Sequence, residues 1–128
     1  MRTPMIAGNW KMNMTVPQAE ELARAIQAGF RGESGRDVLV CPPAVCLETV
    51  RRIIGTARIR LGAQTVHPEG SGAYTGEVAL DMLRSAGCDH VIIGHSERRA
   101  IFGETDTQVA RRMRAVLNGR LVPVLCVG

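Results

Sequence analysis

The sequence predicts an α/β fold in which parallel strands alternate with helices. Four βα units and a fifth strand are legible, about half of a closed (β/α)8 barrel. Three observations carry this prediction. Short runs apolar at every position recur, as in Val38-Leu39-Val40-Cys41 and Val91-Ile92-Ile93. Strands covered on both faces read this way, and parallel sheets are so covered. Between these runs lie segments with apolar residues at helical spacing. The repeat is roughly 30 residues, and eight such units need about 250, so 128 residues supply about half of them in one domain.

Each element has its own signal. Met5-Ile6-Ala7 is a short first strand. Thr15-Val16-Pro17-Gln18 then carries a helix start, a hydroxyl that can cap an N–H with Gln three residues on to return the bond. Ala19, Leu22, Ala23 and Ile26 follow on one face, and Gly29 and Gly32 close the segment. Asp37 to Cys41 is the second strand, stopped by Pro42-Pro43, which cannot donate to a ladder. Leu47, Val50 and Ile54 mark a helix ending near Gly55. Ile59 to Gln64 is the third strand. A Gly-rich loop, HPEGSGAYTGE, leads to a helix with Ala79, Met82, Leu83 and Ala86 inward. His90 to Ile93 is the fourth strand, and Ser96 begins a short helix. Thr105-Asp106-Thr107-Gln108 repeats the capping signature before a stripe of Val109, Met113, Val116 and Leu117. Leu121 to Val127 is the fifth strand, provided the missing N–H of Pro123 faces an edge or a bulge. Right-handed crossovers join such strands.

Composition narrows the function classes. No apolar run approaches the ~20 residues that span a bilayer, and the N-terminus lacks signal-peptide anatomy, so a cytoplasmic protein is expected. The net charge is +4, from fifteen Arg and a single Lys, Lys11, against twelve acidic residues. Four aromatic residues and no basic run longer than Arg111-Arg112-x-Arg114 argue against nucleic acid. Cys41, Cys46, Cys88 and Cys126 show no metal-ligand spacing and read as reduced thiols. No GxGxxG or GxxxxGK[ST] follows a strand, so a nucleotide-binding phosphate loop is missing.

In open α/β sheets and in barrels, ligands meet the carboxyl ends of the strands. Asn9-Trp10-Lys11, Pro42-Pro43, Gln64 to His67 and His95-Ser96-Glu97 share that rim. A helix N-terminus beside His95 disfavours its charged form, leaving a neutral ring that can donate a hydrogen bond. On spacing alone a residue such as His95 is more often a cap or surface residue, a lone Lys such as Lys11 is usually a solvated charge, and Glu97 can pair with Arg98 or Arg99 in a surface ion pair. His67 and His90 read as structural, His90 at the N-terminal end of its strand.

The stretches AGNWKMN, GAYTGE, IIGHSERR, FGETD and VPVLCVG stand in this order along the whole chain. Together they resemble the triosephosphate isomerase family. The resemblance implies a TIM barrel and the interconversion of glyceraldehyde 3-phosphate and dihydroxyacetone phosphate through an enediolate, with no cofactor and no metal. It implies a neutral His95 as electrophile, Lys11 offsetting substrate charge, Asn9 orienting the substrate oxygen, and Glu97 supporting Lys11. It implies a homodimer whose interface includes Gln64, Thr75, Glu77 and Arg98, with Thr75 reaching the partner's site and Glu77 pairing with Arg98 across the subunits. Thr65 departs from the Asn usual there.

The same resemblance places the proton-abstracting Glu after a sixth strand and the main phosphate-binding loops after the seventh and eighth. The expectation is therefore a single partial domain, 1–128, cut after its fifth strand. It lacks its base, is inactive alone, and self-associates through open strand edges. It binds neither membrane nor nucleic acid.

Overall fold

A computed structural model of the chain describes residues 1–32, 34–55 and 58–128. Among them run β1 (Met5–Asn9), α1 (Val16–Gly29), β2 (Asp37–Cys41), α2 (Leu47–Ile54), β3 (Ile59–Ala63), α3 (Leu80–Ser85), β4 (His90–Ile93), α4 (Ser96–Phe102), α5 (Asp106–Asn118) and β5 (Val122–Leu125). The strands form one sheet in the order β1-β2-β3-β4-β5, and every pairing is parallel. Chain neighbours are sheet neighbours throughout, as in the wall of a barrel.

The continuous apolar strands are explained by two cores, one on each side of the sheet. Val40, Leu61, Val91 and Ile93 pack against Ala19, Ala23, Val50, Leu83, Val109 and Val116 from the helices. The alternate residues Leu39, Cys41 and Ile92 cluster with Val124 and Cys126 on the helix-free side. A side chain such as Leu61, fully enclosed, contributes about 1.5–3 kcal/mol by leaving water.

Both capping signatures begin helices. Before α5 the box is complete: Gln108 N–H donates to Thr105 Oγ1 at 3.3 Å and Thr105 N–H to Gln108 Oε1 at 2.9 Å. Before α1, Thr15 N–H donates to Gln18 Oε1 at 2.9 Å, and the Thr15 hydroxyl turns to the same oxygen. Pro42-Pro43 ends β2, and a single 3-10 turn, Ala44–Cys46, carries the chain into α2.

Several boundaries differ from the sequence expectation. β1 continues to Asn9 because all five of its residues pair with Asp37–Cys41, which an apolar run of three does not reveal. β3 stops at Ala63, one residue before Gln64. β5 is shorter, Val122–Leu125, and Pro123 sits within it. Val122 and Cys126 donate to Asp89 and Ile93 of the β4 side at 2.9 Å, so the position lacking an N–H faces the open edge. Met82 and Leu117, expected inward, are 56% and 53% exposed. In α3, Leu83 takes the inward position beside Met82; in α5, Val116 takes it beside Leu117. Each helix buries only a narrow stripe.

At the N-terminal ends of the strands Arg51 acts as a clasp. Its Nη1 donates to Gly55 O at 2.6 Å, and its Nη2 to Gly87 O and to Asp89 Oδ2, the latter at 3.0 Å. Asp89 Oδ2 also accepts from Leu61 N–H at 3.3 Å. One guanidinium thus ties the end of α2 to the α3–β4 turn and to β3. Cys41, Cys46 and Cys88 are buried free thiols, and Cys126 is half-buried. Among the described residues no helix is long and apolar enough to cross a membrane.

Candidate functional site

The site forms where β1, β3 and β4 end. β4 hands over to α4 through two residues, Gly94, at φ +68°, and the N-cap His95. An L side chain there is strained, and a Cβ would stand 3.1–3.2 Å from the Val109 methyls, so glycine alone suits the turn. This explains how an apolar strand runs directly into His95-Ser96-Glu97 with no longer loop between.

His95 is the N-cap of α4, and its Nδ1 accepts from Glu97 N–H at 3.1 Å. A ring nitrogen that accepts carries no proton, so the proton of the neutral ring sits on Nε2. Glu97 Oε2 lies 3.6 Å from the same Nδ1, too far for a hydrogen bond. The turn is braced from behind: Arg99 Nε donates to Gly94 O at 2.9 Å while its Nη1 pairs with Asp106 Oδ1 at 2.6 Å.

Lys11 arrives from β1. Its backbone is left-handed, φ +56°, and its N–H donates to Asn9 Oδ1 at 3.0 Å. Its Nζ lies 2.7 Å from Glu97 Oε1. In a flat sheet β1 and β4 would stand about 14 Å apart, three strand spacings. Curvature of the sheet and the length of the lysine side chain close that gap. The Lys11 hydrogen bond holds the Glu97 carboxyl below the usual range, partly opposed by burial and aided by the Lys11 charge. Asn9, Lys11, Gln64, His95, Glu97 and Arg98 line one open cleft of about 160 Å³.

The four residues expected at an interface fall in two places. Gln64 turns inward, its Nε2 donating to Lys11 O at 2.8 Å and to Cys41 O at 3.0 Å. Arg98 is engaged within its own chain, its Nε 2.7 Å from Glu104 Oε2. Thr75 and Glu77 stand away from the cleft in an exposed loop that folds on itself, with the His67 and Tyr74 rings 4.1 Å apart. Sequence reasoning passed over Glu104, whose side chain is only 3% exposed, and the Arg99 brace. Glu104 lies in FGETD, a stretch that carries the resemblance, yet nothing in its spacing marks a buried carboxylate. Among the described residues no group of three or more His, Cys, Asp or Glu is placed to hold a metal ion.

Comparison with known proteins agrees with this geometry. The family described as Triosephosphate isomerase matches residues 4–128. Triosephosphate isomerase of Roseiflexus sp. (strain RS-1) is 52% identical over the whole chain, which covers 50% of that protein. That of Chloroflexus aurantiacus is 50% identical, with 51% of it covered. The chain thus spans about half the length of these relatives. The crystal structure of triosephosphate isomerase from Bartonella henselae superposes with a TM-score of 0.87 at 41% identity, over 99% of this chain and 52% of that one. The five parallel strands are accordingly one half of a TIM barrel, and the chain belongs to the triosephosphate isomerase family.

Proposed function

We propose that residues 1–128 supply the electrophilic half of a site that interconverts glyceraldehyde 3-phosphate and dihydroxyacetone phosphate, in a cytosolic, homodimeric enzyme of glycolysis and gluconeogenesis. One observation carries the reading: Lys11 and His95 converge on one cleft from strands that are not sheet neighbours, with Nδ1 of the imidazole already occupied by Glu97 N–H. His95 then donates from Nε2 to the two substrate oxygens as negative charge passes between them. A preorganised donor of this kind is worth roughly 10²–10³ in rate. Lys11 offsets the charge of the enediolate and phosphate, and Glu97 holds the ammonium at 2.7 Å. Asn9, its Oδ1 tied to Lys11 N–H, keeps its amide NH2 for the substrate oxygen. The reaction moves one hydrogen between adjacent carbons and one between the oxygens they bear, and calls on no metal or organic cofactor. At the interface of the homodimer, Thr75 of the exposed loop reaches the partner's site, and Glu77 pairs with Arg98 across the subunits.

The base that the family resemblance places after a sixth strand has no counterpart on the five strands here, so the 128-residue chain by itself does not turn over. A second reading has its own support: Ile6 on β1 and Val122 and Leu125 on β5 are exposed apolar side chains on the two edge strands of the sheet. In that reading the 128-residue polypeptide self-associates and acts as an assembly module.

A coupled isomerase assay separates the readings. The chain alone is expected to be silent. Mixed with a separately expressed polypeptide matching the second half of the Roseiflexus relative, it is expected to gain turnover that His95→Gln removes. Turnover by the chain alone, above that of its His95→Gln variant, would refute the half-site assignment. A mixture that sediments as a complex yet stays silent would refute the enzyme reading and leave the assembly module.

A further inference from the structure

Lys11 is the single lysine of the chain, and it occupies a backbone region that L residues avoid, φ +56°. Such a conformation persists only where the surroundings over-determine it. Both polar groups of its own peptide backbone are held by side chains. Asn9 Oδ1 takes the N–H at 3.0 Å, and Gln64 Nε2 donates to the C=O at 2.8 Å. The same Nε2 donates at 3.0 Å to Cys41 O, which also accepts from Trp10 N–H at 3.0 Å. The two protons of one amide nitrogen therefore join the tips of β1, β2 and β3. A carboxylate in that position has nothing to donate, and an amide one carbon shorter does not span both carbonyls.

We infer that Gln64 is a positioning residue: it locks Lys11 in the left-handed conformation and thereby fixes where its ammonium stands beside Glu97 and His95. This assignment rests on reading Lys11 as a substrate-binding group, and it gives Gln64 a task inside its own chain. Were Lys11 to relax to an extended backbone, its Cβ would leave on a different bearing and the 2.7 Å contact with Glu97 would open.

The lone lysine makes the test direct. In the 128-residue chain labelled with 13C,15N-lysine, Lys11 alone reports. A strong intraresidue HN–Hα NOE, the mark of positive φ, is expected in the wild type. It is expected to weaken, with a changed Cβ shift, in both Gln64→Glu and Gln64→Asn, while Glu97→Gln moves only the side-chain Cε and Nζ signals. Two variants are used so that failure of one to fold leaves the other to decide. An unchanged Lys11 NOE and Cβ shift in a folded Gln64 variant would overturn the proposal, as would a wild-type Lys11 without the positive-φ signature. In the complemented enzyme, a misplacement of the ammonium is expected to lower kcat/KM about 10- to 100-fold. If complementation gives no turnover, the NMR result still stands or falls by itself, so the two readings fail separately.

Discussion

Replacing Gly94 by Ala tests whether the abrupt passage from β4 into His95 depends on the absence of a side chain. Two costs add. A left-handed L residue is disfavoured by about 1–2 kcal/mol. The new Cβ would also lie 3.0 Å from Arg99 Nη2 and 3.1–3.2 Å from the two Val109 methyls. The guanidinium can swing aside, but Val109 is buried between α5 and the sheet, and overpacking of this kind costs about 1–3 kcal/mol. The expected total is about 2–5 kcal/mol, a large share of the 5–15 kcal/mol that holds a typical domain together. Gly103 supplies the control. It ends α4 at φ +66°, and a Cβ there would meet nothing within 4 Å, so Gly103→Ala carries the backbone cost alone. In urea, with a slope of about 2 kcal/mol/M, the midpoint should fall by roughly 1–2.5 M for Gly94→Ala and by about 0.5–1 M for Gly103→Ala. Equal shifts in the two variants would show that contact with Val109 does not limit this turn. The steric account of the strand-to-His95 junction would then be wrong.

Other outcomes follow from groups away from the cleft. Burial pushes the Cys41 and Cys88 thiols up to about 12, so a thiol-specific reagent at neutral pH should label Cys126 in the native chain and reach all four cysteines only in denaturant. Rapid native labelling of Cys41 or Cys88 would contradict their enclosure. Burial lowers the pKa of His90, with Arg60 acting the same way and Asp89 and Asp37 opposing, and Arg120 lines the same cavity. The folded state thus binds fewer protons there than the unfolded one. Its contribution is fully present above the unfolded value of about 6.5 and is lost as pH falls from there toward the lower folded value. The urea midpoint should drop between pH 7.5 and 5.5, less so in His90→Phe; an identical slope in that variant would remove His90 as the cause. Arg51→Met should cost about 2–3 kcal/mol, less than a fully buried pair because Asp89 is 36% exposed. Adding Asp89→Asn should cost little more, and full additivity of the two losses would argue against the clasp.

Much of this was legible in the letters, and the exceptions share a cause. Patterns that report on one residue's immediate neighbours read correctly: the capping boxes at Thr15 and Thr105, the halt at Pro42-Pro43, and the alternation of βα units. Pro123 could be reconciled with a strand only through its surroundings, since nothing local says which of its two flanks pairs with β4. Met82 and Leu117 are apolar at plausible helical spacing, yet spacing tells which residues share a face and not how wide a stripe the sheet covers. At the site, Asn9, Lys11 and His95 were visible because strand ends collect ligands. The inward amide of Gln64, the buried Glu104 beneath Arg98 and the brace from Arg99 to Gly94 O depend on contacts between segments that no period encodes.

The order β1-β2-β3-β4-β5 also bears on how the polypeptide leaves the ribosome. Each βα unit emerges with its docking surface already made by the unit before it, so synthesis and assembly can proceed in the same direction. The Arg51 clasp is the delayed step: it waits for Asp89, 38 residues downstream, about 2–8 s at a translation rate of 5–20 residues per second. Until then α2 has to hold its place on the nascent sheet through Leu47, Val50, Ile53 and Ile54 alone.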